Sequence, residues 1–123
     1  MSKIDRYFRL AKTTAVKGDA SDARRHYRLG AVGVRTDGTI VTASNVPCRQ
    51  PHARARSHAE ARVVRKLNYG SEIFVVRILR NNTISNAHPC AKCQKAMRLR
   101  GIRRVYYSIS NDEYGVIVFT HLR

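Results

Sequence analysis

The sequence of 123 residues carries 24 lysines and arginines against 8 aspartates and glutamates, a formal net charge of +16. This length predicts one domain over residues 1–123, and the charge is typical of a protein that binds nucleic acid or a phosphate-bearing substrate, with a solvated basic surface as the alternative. No apolar run approaches the ~20 residues that cross a bilayer, the N-terminus has no signal-peptide pattern, and the odd number of cysteines argues against a disulfide framework. We therefore expect a cytoplasmic protein with no membrane partner.

The N-terminal third of the sequence predicts one helix followed by a β-hairpin. Ser2 is placed to cap the helix. Five apolar residues share one helical face at three- and four-residue spacing: Ile4, Tyr7, Phe8, Ala11 and Ala15. Asp37-Gly38 then separates two extended runs, residues 29–34 and 39–42, and this dipeptide is typical of a tight hairpin turn.

The rest of the chain alternates between predicted loops, helices and strands. In order these are a loop over residues 45–57, a helix from Ser57 to about Asn68, a strand at 73–76, a polar loop over 80–88, a helix from Cys90 to about Arg100, and strands at 102–107 and 115–119. The alternation predicts an α/β sandwich with a largely parallel sheet. The last two strands are the exception, because a parallel pair needs a crossover of about a dozen residues and only a few separate them.

Two helix starts carry the residues of a metal site. His58-Ala59-Glu60 begins one helix, and Pro89-Cys90-Ala91-Lys92-Cys93 begins the next. Cys90 and Cys93 share one side of the first turn, where the helix dipole favours thiolates and lowers the thiol pKa. With His58 they form a ligand set that lacks a fourth member, which is typical of catalytic zinc with a position open for water. We therefore expect one zinc ion per chain, held by His58, Cys90 and Cys93.

Glu60 is the predicted proton shuttle of this site. Zinc lowers the pKa of water at an open position to about 7. Hydrolysis at such a site also requires proton transfer, and a carboxylate beside the metal can take a proton from water and pass it on. A capping box formed by Ser57 and Glu60 is the structural alternative.

These motifs resemble a known family. H-A-E followed by P-C-x-x-C is similar to the signature of the cytidine and deoxycytidylate deaminase superfamily of zinc-dependent nucleobase deaminases. The resemblance covers roughly residues 28–107 and includes three further segments: Gly30-Ala31-Val32, Thr42-Ala43-Ser44-Asn45, and Gly101-Ile102 with Val105-Tyr106-Tyr107. It implies a three-layer α/β/α sandwich whose five-stranded mixed sheet has the order 2-1-3-4-5, with the last two strands antiparallel. It also implies that Asn45 lines the pocket and contacts sugar or base.

The chain departs from each branch of that superfamily. Nucleoside deaminases usually have Cys at the position of His58 and a Glu after Asn45-Val46, where this chain has Pro47. The DNA- and RNA-mutating enzymes have S-W-S where this chain has residues 86–88. The tRNA adenosine and deoxycytidylate deaminases place a helix between the last two strands. The short connection at residues 111–113 resembles the hairpin branch, which includes nucleoside deaminases and several bacterial toxin deaminases.

Other interpretations of the metal-site residues remain open at this point. Cys90 and Cys93 could form a redox pair, or half of a structural zinc site that Cys48 or His52 would close. Cys48 is otherwise expected to be a small buried apolar residue or an inert loop thiol. Four arginines near the end of the zinc-site helix are expected to be partners of its dipole: Arg98, Arg100, Arg103 and Arg104.

Substrate contacts are predicted around the pocket mouth. Arg49, Arg54 and Arg56 precede His58 and suit phosphate, while Ala59 and His88 are further candidates. These residues predict a zinc-dependent hydrolase that converts cytosine to uracil in a (deoxy)cytidine nucleotide or in single-stranded nucleic acid. The alternatives are a deaminase of adenine or another aminated base, and a non-enzymatic, zinc-stabilised nucleic-acid-binding module. A homo-oligomer is compatible with the sequence.

Overall fold

The structure, a computed structural model, describes residues 2–17, 27–44, 59–79 and 81–119. Its helices and strands are, in chain order, α1 (Lys3–Val16), β1 (Tyr27–Val34), β2 (Ile40–Ser44), α2 (Ala59–Val64), β3 (Glu72–Leu79), β4 (Ile84–Ser85), α3 (Ala91–Arg100), β5 (Arg104–Ser108) and β6 (Tyr114–Val118). The predicted loop over residues 45–57 lies outside the described residues.

The strands form one mixed sheet in the order β2-β1-β3-β5-β6, and β4 pairs with β3 beside this path. The order and the antiparallel β5–β6 hairpin confirm the predicted five-stranded topology. The prediction of a largely parallel sheet is wrong, because among the described strands β3 and β5 form the one parallel pair. Short hairpins join β1 to β2 and β5 to β6, and such connections allow only antiparallel pairing. The predicted polar loop over residues 80–88 also contains β4, which was not predicted.

The ends of the helices follow local chemistry. Ser2 caps α1, since its hydroxyl accepts a hydrogen bond from the backbone N–H of Asp5 at 3.1 Å. Helix α2 ends at Val64, before the predicted Asn68, and the backbone N–H groups of Lys66 and Leu67 donate to carbonyls three residues back in a tighter turn. Helix α3 ends at Gly101 in the left-handed conformation, with φ of 81°.

Helices cover both faces of the sheet, which confirms the three-layer sandwich. On one face, α1 packs Ala11 and Ala15 against Val32, Phe74 and other residues of the sheet. On the other face, α2 and α3 enclose a larger aliphatic core: Leu29, Ala31, Ala43, Ala59, Val63, Val64, Leu67, Ile73, Val75, Met97, Ile102 and Val105. Within the ranges described, no helix has the length and apolar character to span a bilayer.

Candidate active site

Glu60 is a buried carboxylate in the first turn of α2. Its exposed fraction is 3%, and the neighbouring Ala59 and Val63 are fully buried in the aliphatic core. Burial of a carboxylate is costly unless polar groups contact it. The Cys93 thiol of α3 supplies one such contact, because it lies within hydrogen-bonding reach of the Glu60 side chain.

Cys90 and Cys93 meet at the start of α3. Cys90 is the N-cap residue and is exposed, whereas Cys93 lies one turn later with an exposed fraction of 2%. The Cys93 thiol also lies within hydrogen-bonding reach of the Cys90 side chain. The fold therefore brings the predicted proton shuttle and two predicted zinc ligands into one cluster. Pro89 lies just before this cap, one position earlier than the predicted first turn.

The environment of Cys93 corrects one prediction about its acidity. Burial raises the pKa of the Cys93 thiol, and the neighbouring Glu60 carboxylate and Cys90 side chain raise this pKa further. The helix dipole was expected to lower it. Desolvation and the adjacent negative charge outweigh the dipole at this position.

The same cluster fits a zinc ion. The two cysteine sulfurs lie beside the Glu60 carboxylate, whose negative charge disfavours a thiolate at Cys93, so a thiolate there requires a cation. Zinc is a cation that accepts sulfur ligands and releases their protons. Cys90 and Cys93 would hold it. His58, the third predicted ligand, lies outside the described residues, and within them no three His, Cys, Asp or Glu side chains form a metal-binding group by themselves.

Several predicted site residues lie outside the part of the chain that the structure describes. These are Asn45, Arg49, Arg54 and Arg56, together with Cys48 and His52 of the alternative closed site. Of the other predicted contacts, Ala59 is fully buried and packs in the aliphatic core.

The segment that leads into Cys90 is held by the end of β5. The backbone N–H of Ala87 donates to the carbonyl of Ser108 at 2.8 Å, and the Ser108 hydroxyl donates to the carbonyl of Ser85 at 2.8 Å. On the other side of Cys90, the Gln94 amide donates to the Pro89 carbonyl at 2.9 Å. Ser108 and Gln94 therefore position the cysteines. Sequence analysis missed both, because their partners are backbone groups that no motif identifies.

His88 and Tyr107 form an aromatic pair next to the cysteine segment. Their ring centroids are 5.0 Å apart at an interplanar angle of 79°, and His88 is exposed. Tyr107 lies near the carboxyl end of β5, and ligands of open α/β sheets bind outside the carboxyl ends of parallel strands. Tyr107 is thus a candidate for substrate contact that sequence analysis did not identify, although its position at the end of a predicted strand was a usable signal.

Of the four arginines predicted to be partners of the α3 dipole, two lie in the helix, whereas Arg103 and Arg104 lie beyond its end. Arg98 and Arg100 lie in its last turn. The Arg98 guanidinium also lies over the Phe119 ring, 5.8 Å from its centroid, within the range of a cation–π contact.

Similar solved structures include cytidine deaminases from Burkholderia pseudomallei (20% identity, 96% of this chain and 93% of that chain, TM-score 0.69) and Mycobacterium leprae (15% identity, 94% of each chain, TM-score 0.59). A third is the cytidine deaminase from Mycobacterium tuberculosis, with 18% identity over 85% of each chain and a TM-score of 0.56. At such identities the likeness shows a shared fold. No curated protein sequence matches significantly.

A family model supplies the evidence at the level of sequence. The model of the cytidine and deoxycytidylate deaminase zinc-binding region matches residues 1–109, which is most of the chain and includes Glu60, Cys90 and Cys93. This match implies zinc and supports a deaminase. The chain therefore belongs to the cytidine and deoxycytidylate deaminase zinc-binding family.

Proposed function

We propose that this protein is a zinc-dependent hydrolytic deaminase that converts cytosine to uracil in a (deoxy)cytidine nucleotide or in nucleic acid. The observation that carries the proposal is the contact between the buried Glu60 carboxylate and the Cys93 thiol, beside Cys90. A capping residue would place its carboxylate at its own helix end. Contact with a cysteine on another helix is what a proton shuttle at a metal site requires.

The chain's own residues divide the chemistry between them. Cys90, Cys93 and His58 would hold the metal, which when bound supplies a nucleophile from water at neutral pH. The Glu60 carboxylate accepts the proton that water releases, donates it to the ring nitrogen, and later delivers a proton to the leaving amine. Its burial keeps bulk water away from this carboxylate, so protons pass between Glu60 and the substrate.

Substrate contacts are proposed at the exposed side of the cluster. His88 and Tyr107 offer aromatic surface at the rim. Asn45 would contact sugar or base, and the arginines at positions 49, 54 and 56 would contact phosphate. The basic composition supports a phosphate-bearing substrate over a free nucleoside.

Metal content is the first test of this proposal. Purified protein is expected to hold one zinc per chain, and Cys90→Ser or His58→Ala is expected to abolish stoichiometric binding, as measured by elemental analysis. Cys48→Ser is the matched control, because it removes a thiol that the catalytic site does not use. Loss of zinc in Cys48→Ser would indicate a closed structural site with four protein ligands.

Turnover is the second test. Zinc-loaded protein is incubated with nucleosides, nucleotides and oligonucleotides that contain cytosine or adenine, and products are weighed by mass spectrometry. Replacement of an amine by a carbonyl oxygen adds about one dalton to the substrate. A shift on any cytosine-containing substrate supports the proposal, a shift on adenine alone favours the alternative base, and no shift on the whole panel contradicts deaminase activity.

A further inference from the structure

A groove separates α2 and α3 on the outer side of the molecule, and the proposed chemistry does not use most of it. It has a volume of about 750 Å³. Along α3 it follows Cys93, Ala96 and Arg100, which share one helical face and span about 10 Å of the helix. One end of the groove therefore adjoins the catalytic cluster at Cys93, and the other reaches the end of α3.

The rim of this groove is basic. Arg65, Lys92 and Arg100 line it. Residues 61–111 contain one acidic residue, Glu72, and its carboxylate lies 3.9 Å from the Arg104 guanidinium. Glu60, which contacts Cys93 at one end of the groove, is only 3% exposed, so the three basic side chains at the rim outnumber the carboxylates near the groove and favour an anionic ligand.

The far end of the groove carries exposed apolar surface. Leu99 is 80% exposed and Tyr69 is 48% exposed. The Tyr69 ring lies on the backbone of Gly101, since a Cβ atom at that glycine would approach the ring to 2.3 Å. Backbone contact supports the ring in place, and part of it faces solvent. Basic side chains combined with a supported aromatic ring are the elements with which proteins bind single strands without sequence preference.

We propose that the α2–α3 groove binds single-stranded nucleic acid and holds the nucleotides that flank the base at the active site. The first half of this statement stands on the groove alone, and the second rests on the proposed function. A second copy of this chain is a poor occupant, because a symmetric contact would place the basic rims of both copies against each other. Phosphates of a polynucleotide complement the rim, and unstacked bases complement Tyr69 and Leu99.

The test measures binding of a short fluorescent oligonucleotide to the full zinc-loaded chain by anisotropy, at about 50 to 200 mM salt. Arg65→Gln/Arg100→Gln is compared with Lys3→Gln/Arg6→Gln, which removes the same charge from exposed positions on α1. Each phosphate contact contributes about 0.7 to the log–log salt slope on single strands, so the groove variant is expected to flatten the slope by about 1.4 and the control to leave it unchanged. Tyr69→Leu, which keeps apolar cover over Gly101, is expected to weaken binding about tenfold with a constant slope.

Three results would overturn the inference. One is no oligonucleotide binding by the wild-type chain at low salt, and another is equal loss in the groove and control variants. The third is an affinity for polyglutamate equal to that for the oligonucleotide, which would show that the groove binds negative charge in general, including that of acidic proteins. Because the binding assay needs no turnover, its result does not depend on whether the protein is a deaminase. Deamination of free nucleotides without oligonucleotide binding refutes the groove proposal alone, and binding without deamination refutes the enzymatic one alone.

Discussion

The two faces of the sheet differ in what their side chains contribute. The face under α1 is aromatic: the Phe74 and Tyr106 rings are stacked with centroids 4.5 Å apart, and Tyr7 and Phe8 pack on Phe74 at 5.0 and 5.6 Å. The face under α2 and α3 is mainly aliphatic and contains Glu60 and Cys93. The α1 face therefore contributes packing, while the α2–α3 face contributes packing and chemistry together.

This difference indicates that stability and activity can be changed separately. Substitutions under α1 are expected to lower the free energy of unfolding without altering the metal site. Conservative substitutions at Glu60 are expected to abolish chemistry in a protein that still folds.

Glu60→Gln gives the largest expected effect. The amide keeps the size of the side chain but cannot transfer protons, so kcat is expected to fall by about 10⁴-fold, the upper end for general acid–base catalysis, because the shuttle acts more than once. Zinc content and the unfolding midpoint are expected to stay near wild type. Glu72→Gln is the matched control, since it makes the same change at the half-buried Glu72 of β3. Turnover within a few-fold of wild type in Glu60→Gln would show that Glu60 only caps α2.

Phe74→Ala is expected to have the largest effect on stability. Phe74 is 3% exposed and contacts three other aromatic rings. Truncation of a buried Phe typically costs about 3–5 kcal/mol of unfolding free energy, measurable by urea titration. The folded fraction is expected to retain stoichiometric zinc. Zinc loss under conditions where the variant is still folded would show that the two faces are coupled.

The fold was more predictable from the sequence than the site. Apolar spacing identified α1, the Asp37-Gly38 turn identified the β1–β2 hairpin, and the short connection before β6 required antiparallel pairing. The motif identified the cluster of Glu60, Cys90 and Cys93. It could not reveal contacts through backbone groups, such as those of Ser108, or the higher pKa of Cys93, because both depend on which residues become neighbours after folding.

The length of α2 shows a further limit of sequence patterns. Apolar residues continue at helical spacing through Leu67, yet the helix ends at Val64. The chain turns there because Leu67 packs into the core beneath β1, where a Cβ atom on Gly33 would lie 2.6 Å from its side chain. Tertiary packing overrides local periodicity at this point.

Gly30→Ala tests how closely α1 approaches the sheet. A Cβ atom at this position of β1 would lie 2.1 Å from the Ala11 carbonyl oxygen and 2.5 Å from the Ala15 backbone nitrogen. Backbone atoms cannot move aside independently, so α1 would have to shift away from β1. Overpacking of this kind typically costs about 1–3 kcal/mol, again measured by urea titration. An unchanged midpoint would mean that α1 adjusts freely on the sheet.

Ser2→Ala is expected to have the smallest effect, because it removes one hydrogen bond from an exposed helix end. The Ser2 hydroxyl accepts from the Asp5 backbone N–H, and loss of such a cap typically costs about 1 kcal/mol. Ser2→Asp is the matched control, since its carboxylate can accept the same hydrogen bond and favours the positive end of the helix dipole. We expect Ser2→Ala to lower the urea midpoint and speed hydrogen exchange in the first turn of α1, while Ser2→Asp preserves both.

Turnover and zinc content are expected to stay at wild-type values in both variants, because α1 packs on the opposite face of the sheet from Glu60 and Cys93. Suppose that kcat changes in Ser2→Ala and that Ser2→Asp restores the stability but not the kcat. The N-terminus of α1 would then influence the site by a route other than stability.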